Sequence, residues 1–187
     1  ELVAMCCEAG IEVTSLPGAA ACITALTLSG LPTRRFAFEA FLPSDKKERA
    51  CILQELKNET RTIILYEAPH RLVKTLEELY AELGDRKISL CRELTKKHET
   101  VFRDTLSQAI AWYKENPPKG ECVMVLAGRP REELVLEERQ KWENMSLEEH
   151  LAIYEKEGMS RKDAMKQVAK DRGIRKRDVY QALLNQE

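Results

Sequence analysis

The sequence predicts an α/β protein, and two observations carry that prediction. Short β-rich runs at residues 11–16, 36–42, 62–67, 87–92, 100–102 and 121–127 alternate with stretches of helical periodicity. One of them, Thr62-Ile63-Ile64-Leu65-Tyr66, is continuously apolar and β-branched, as a strand covered on both faces must be. After Gly128-Arg129-Pro130 the strand patterns stop and the chain becomes helical.

Taken in order, a helix already under way at Glu1-Leu2-Val3 is expected to end at Gly10, followed by a strand over 11–16. Leu16-Pro17-Gly18-Ala19-Ala20-Ala21 then opens a helix of small residues, where backbone can approach a ligand and helix N–H groups can meet an anion. In the run 36–42, alternation predicts that most of the rings of Phe36, Phe38 and Phe41 pack in the core. Ile52, Leu53 and Leu56 form a short helical stripe, and Leu72, Leu76, Leu79 and Leu83 a longer one, with Pro69 expected in the first turn of the latter. Beyond residue 145, Ser160 and Asp163 read as a capping box, Gly173 ends that helix, and Val179, Leu183 and Leu184 mark another. Two helices joined by a glycine turn form a helix-turn-helix candidate.

The longest apolar stretches fall far short of the ~20 residues a membrane span requires. The six cysteines include no C-x-x-C pair and mostly have apolar neighbours, so buried reduced thiols and a cytoplasmic setting are expected. A formal net charge of −1 conceals an uneven distribution. Residues 131–149 hold seven acidic and three basic side chains, residues 157–178 eight basic and four acidic. No P-loop, G-x-G-x-x-G, G-x-S-x-G, H-E-x-x-H or metal-ligand spacing is present.

Tyr66-Glu67-Ala68-Pro69-His70-Arg71 stands where a strand gives way to a helix, the edge at which α/β sheets place ligands. Arg92-Glu93-Leu94-Thr95-Lys96-Lys97-His98-Glu99-Thr100 also follows a strand, and a parallel-type sheet would bring both clusters to one cleft. Arg34, Arg35, Lys46, Lys47 and Arg49 offer phosphate contacts, as do Arg161, Lys162, Lys166, Arg172, Arg175, Lys176 and Arg177 in the tail.

These motifs, together with Gly30-Leu31-Pro32-Thr33 and Phe41-Leu42-Pro43, closely resemble the tetrapyrrole methylase superfamily, and within it the branch acting on ribosomal RNA. The resemblance implies the second lobe of a two-lobed α/β methylase plus a small helical domain. Residues 1–16 would end the first lobe, 17–128 form the second, 129–145 a linker and 146–187 the helix-turn-helix-like domain. It further implies S-adenosylmethionine as cofactor, a cytidine ribose 2′-oxygen of small-subunit ribosomal RNA (or the 30S subunit) as substrate, and a homodimer. The family's glycine-rich cofactor loop would lie upstream of Glu1, so the chain alone would carry half of a cofactor site and be inactive. Gly18, Ala19, Ala20, Tyr66, Glu67, Arg92, Ala127 and Gly128 would contact the cofactor. Glu67, Glu93 and His70 are the candidate bases, in that order. RNA would be held by Arg34, Arg35, Lys46, Lys47, Arg71, Lys96, Arg175, Lys176 and Arg177. The alternatives are C-methylation of a corrin or porphyrin precursor, and a nonenzymatic RNA-binding module.

Overall fold

The computed structural model describes residues 1–143 and 145–184. Its contacts divide the chain into two compact units: residues 1–53 with 62–127, and residues 54–61 with 128–187.

The first unit is built on a five-stranded sheet of order β1-β2-β5-β3-β4, comprising β1 (Phe36–Phe41), β2 (Thr62–Glu67), β3 (Lys87–Arg92), β4 (Thr100–Thr105) and β5 (Cys122–Leu126). β1 and β2 run parallel, while β5 is antiparallel to both of its neighbours, β2 and β3, and β4 is antiparallel to β3. The sheet is therefore mixed rather than parallel throughout. β2 and β3 nevertheless point the same way, because each opposes β5. Ile63, Ile64 and Leu65 are fully buried, as the apolar run requires of an interior strand.

Helices α1 (Leu2–Glu8), α2 (Ala21–Ser29), α3 (Lys46–Lys57), α4 (Leu72–Leu83) and α5 (Leu106–Glu115) complete the α/β pattern. On one face α2 packs Ala25 and Leu26 against Ile64, Cys91, Val123 and Val125. The predicted stripe of α4, Leu72, Leu76, Leu79 and Leu83, is buried in full. Burying four such side chains contributes roughly 1.5–3 kcal/mol each.

Three expectations are corrected. Residues 11–16 form no strand, because alternation alone is insufficient without a ladder partner, and none pairs with them among the described residues. Pro69 precedes α4 instead of entering it, occupying the turn in which Arg71 N donates to Ala68 O (3.1 Å). Phe36, Phe38 and Phe41 are exposed while Ala37 is buried. Phe36 and Phe38 lie on the face opposite buried Ala37, and a bulge in β1, where Ala40 adopts φ 53° and the register shifts between Phe38 and Ala40, brings Phe41 beside Phe38, so that both meet Tyr66 (ring centroids 5.2 and 5.6 Å).

The second unit contains α6 (Arg131–Glu143), α7 (Leu147–Lys156), α8 (Arg161–Arg172) and α9 (Lys176–Leu184). The expected linker thus holds a helix. It escaped apolar periodicity because nearly every side chain on it is solvated, and it is favoured by Pro130 before its first turn, Glu132 and Glu133 within that turn and Lys141 in the last. α7 starts with a full Ser146–Glu149 capping box, whereas at α8 the Ser160 side chain accepts from Asp163 N. Gly173 ends α8 in the left-handed conformation, as expected. Leu151, Ala164, Val168, Ala169, Val179 and Leu183 make the small core.

Beside that core, His150 is fully buried against the Trp142 ring (centroids 3.8 Å, 5° between planes). Its Nδ1 accepts from Arg172 Nε (3.1 Å), and its Nε2 lies 3.5 Å from Asp171 Oδ2. Burial, reinforced by the Arg172 charge, lowers the His150 pKa below its usual 6.5. The unfolded chain therefore binds the proton more readily. The stability of this unit should be fully present above pH 6.5 and decline as pH falls toward the folded-state pKa. Thermal melts between neutral pH and pH 5 should show this slope, and its absence in a His150→Gln variant would assign it to this ring.

Of the cysteines, Cys91 and Cys122 are buried as expected, but Cys7 and Cys51 are exposed; none is in a disulfide. Among the described residues no helix is long and apolar enough to cross a membrane.

Candidate active site

The C-terminal ends of β2 and β3 converge on the start of β5. Glu67 and Arg92 both stand opposite Cys122, and Tyr66 and Cys91 both opposite Val123. The two charged clusters thus do emerge at one edge, through the antiparallel strand between them. Here the first unit holds a cleft of about 420 Å³. Ala21, Leu94, Cys91, Cys122 and Val123 give it an apolar lining, and Tyr66, Glu93, Lys96 and Glu121 supply polar groups.

Glu93 follows β3 immediately and adopts φ 50°; Thr95, two residues on, adopts φ 65°. Left-handed backbone at two non-glycine residues costs energy, and local hydrogen bonds hold it here. Lys96 N donates to Glu93 O (2.9 Å), Thr95 N to Glu99 Oε2 (2.7 Å) and Glu99 N to Lys96 O (3.2 Å). Lys96 Nζ sits 3.2 Å from Glu93 Oε1. On the other side, the same oxygen lies over Gly120 (φ 77°), 2.3 Å from where a Cβ would stand, so any side chain there would displace the Glu93 carboxylate. The Glu93 carboxylate is therefore seated over bare backbone with an ammonium beside it.

Burial pushes the Cys122 thiol up to about 12 and raises Cys91 as well. Both remain protonated at neutral pH and are poor nucleophiles. The Tyr66 phenol is also raised, by burial and by its hydrogen bond with Cys22.

The remaining expected residues are distributed differently. Glu67 is 0% exposed and does not line the cleft. Its Oε1 accepts from Ala68 N (2.8 Å) and Arg71 Nε (2.9 Å), and its Oε2 from Thr75 Oγ1 (2.6 Å), which in turn accepts from Arg49 Nη2 (2.7 Å). Every neighbour in this network is structural, so both oxygens are committed inside the fold. His70 is exposed in the turn before α4 and is not part of the cleft lining. Gly18, Ala19 and Ala20 are exposed coil; their neighbour Ala21, the first residue of α2, reaches the cleft instead. Ala127 and Gly128 follow the far end of β5. Because that strand is antiparallel, its beginning, not its end, faces the site. Gly128 is needed for packing in the second unit, where a Cβ would strike the Thr60 carbonyl at 2.3 Å. Arg92 alternates away from Cys91 and Glu93 and lines a different cleft with Thr100 and Phe102.

Among the basic residues, Arg34, Arg35, Lys46 and Lys47 are exposed, and so are Lys96, Arg175, Lys176 and Arg177, with the Arg175 side chain 91% accessible. Arg71 is engaged with Glu67 and Ser44, and Arg49 with Glu78 and Thr75. Arg172 holds His150 and donates to Met145 O and Ser146 O. All three donate to groups within the chain. Gly120 was missed as a lining residue of the cleft; the Lys119-Gly120-Glu121 turn ahead of an apolar run marks a strand entry, and only the strand's direction was lacking.

A profile of the tetrapyrrole (corrin/porphyrin) methylases matches residues 1–110. The chain is 46% identical to a ribosomal RNA small subunit methyltransferase I of Halalkalibacterium halodurans over 96% of its own length and 62% of the relative's. It is 46% identical to the protein of that name from Synechocystis sp. over 100% of its length and 66% of the relative's. The chain thus spans somewhat under two thirds of the curated relatives it matches. A solved structure similar to it is the uroporphyrin-III-C-methyltransferase of Thermus thermophilus, with TM-score 0.46 and 20% identity, covering 67% of this chain and 55% of that one.

Proposed function

Because the chain belongs to the tetrapyrrole methylase family, we propose that it serves an S-adenosylmethionine-dependent methyltransferase acting on the 2′-oxygen of a cytidine ribose in small-subunit ribosomal RNA. The RNA substrate follows the names of its relatives. The observation that carries the chemistry is the Glu93 carboxylate seated over Gly120 at the cleft, with Lys96 at 3.2 Å.

S-adenosylmethionine fits the chemistry of this cleft. Ala21, Tyr66 and Val123 offer apolar and aromatic surface to an adenosine, and the carboxylates of Glu93 and Glu121 offer negative charge to a sulfonium or ammonium. When bound, the cofactor supplies an electrophilic methyl group on a good leaving group. What is left to the protein is alignment of the acceptor oxygen and removal of its proton. Glu93 would take that proton from the 2′-oxygen. Lys96 holds the carboxylate in place, and the left-handed turn 93–95 keeps both at the rim. Phosphates of the RNA are met by Arg34, Arg35, Lys46 and Lys47 in the first unit and by Arg175, Lys176 and Arg177 in the second. The active form is a homodimer in the cytoplasm.

The test is incubation of the full-length protein that carries this sequence with labelled S-adenosylmethionine and small ribosomal subunits, followed by nucleoside analysis. 2′-O-methylcytidine is the expected product; label appearing in a tetrapyrrole precursor and never in RNA would overturn the reading. In the same assay, replacing Arg175, Lys176 and Arg177 together by alanine should weaken RNA binding and flatten its dependence on log salt by about two units, leaving cofactor affinity unchanged. Unaltered RNA affinity would remove the tail from the interface.

A further inference from the structure

The second cleft of the α/β unit, on the opposite side of the strand end formed by β3, has a volume of about 480 Å³, inside the ~300–1,000 Å³ range of small-molecule sites. Its wall is aromatic. Trp112 on α5 stacks against Phe102 on β4 (centroids 6.4 Å, 27° between planes), and Tyr113 meets Phe102 edge-on at 5.7 Å. Trp112 is 53% exposed even so. The last turn of α5, which carries it, is closed by Asn116, which donates to Trp112 O through both its backbone N (2.9 Å) and its Nδ2 (3.0 Å). Opposite the rings, the Arg92 guanidinium is held by Thr100 Oγ1 (3.2 Å) and Lys119 O (3.4 Å).

A large indole half out of water, braced on one side by another ring and paired with a fixed guanidinium, is the arrangement that receives a planar, anionic ligand: the ring takes a base face and the arginine a phosphate. We propose that this cleft is a subsite for one nucleotide of single-stranded RNA, its base stacked on Trp112 and its phosphate on Arg92. The inference rests on the RNA methyltransferase reading and extends it. Cys91 and Glu93 line the first cleft while Arg92, between them, lines the second. The two clefts flank the same strand end, one on either side of it, so an RNA strand that rounds this end meets both. Unpaired bases splayed onto aromatic side chains are the usual means by which proteins recognise RNA sequence.

The experiment titrates the protein with a short single-stranded oligoribonucleotide, following tryptophan emission and anisotropy, and compares Trp112→Ala with Trp112→Phe. Stacking predicts quenched emission in the unmodified protein, about tenfold weaker binding for Trp112→Ala and near-normal binding for Trp112→Phe. Melting temperature and S-adenosylmethionine affinity should be unchanged in both. Wild-type RNA affinity in Trp112→Ala would overturn the proposal, whatever the methylation assay shows. Binding that depends on Trp112 without any methylation of ribosomal RNA would uphold the subsite and remove the methyltransferase reading instead.

Discussion

Replacing Glu93 by glutamine is expected to slow methyl transfer to RNA by about 10²- to 10⁴-fold, the usual contribution of a positioned general base. Glutamine keeps the shape of the side chain over Gly120 and the left-handed backbone at this position, so the cleft should survive. It removes the capacity to accept a proton as a carboxylate does, together with the negative charge that faces Lys96. The loss from the missing base should appear in kcat, measured by single-turnover transfer of labelled methyl at saturating cofactor. A variant that turns over at the wild-type rate would eliminate Glu93 as the base.

Glu67 should behave in the opposite way. Substituting alanine strands the Thr75 hydroxyl, the Ala68 N–H and the Arg71 guanidinium around a buried void. Breaking a buried ion pair by deleting one partner costs about 3–5 kcal/mol. The lower end is expected here, because the Arg71 side chain is 30% exposed and can recover hydration. Urea unfolding of the chain should report the loss. If Glu67→Ala unfolded normally but no longer transferred methyl, the roles assigned to the two glutamates would have to be exchanged.

The contrast between these glutamates marks what could be read from sequence. Each follows a strand, each stands in a charged cluster, and both were legible as candidates. What separates them is the face of the sheet. Glu67 alternates with Tyr66 away from the cleft, whereas Glu93, two residues after Cys91, alternates back to the side that Cys91 lines; the inward phase of strands that are apolar on both faces has no sequence signature. Strand direction was similarly hidden. The run 121–127 announces a buried strand through its apolar content, but whether it lies parallel or antiparallel depends on pairing with β2 and β3, and that choice moved the site from Ala127-Gly128 to Gly120–Val123. The helices of the first unit were easier, since the α4 stripe is periodic and its burial follows from the period. For α6 the information lay in charge placement and in Pro130, and for α7 in Ser146 and Glu149, signals that speak only to helix ends.

The bulge in β1 has a bearing on association between molecules. A sheet open at both sides offers rows of unsatisfied N–H and C=O groups to any passing strand, and such growth ends in aggregates. β1 is one outer strand, and Ala40 at φ 53°, its penultimate residue, interrupts its regular spacing. β4 is the other, and it presents the charged, exposed side chains of Arg103 and Asp104. Edge-to-edge merging of two such sheets through shared backbone ladders is thus hindered at both outer strands.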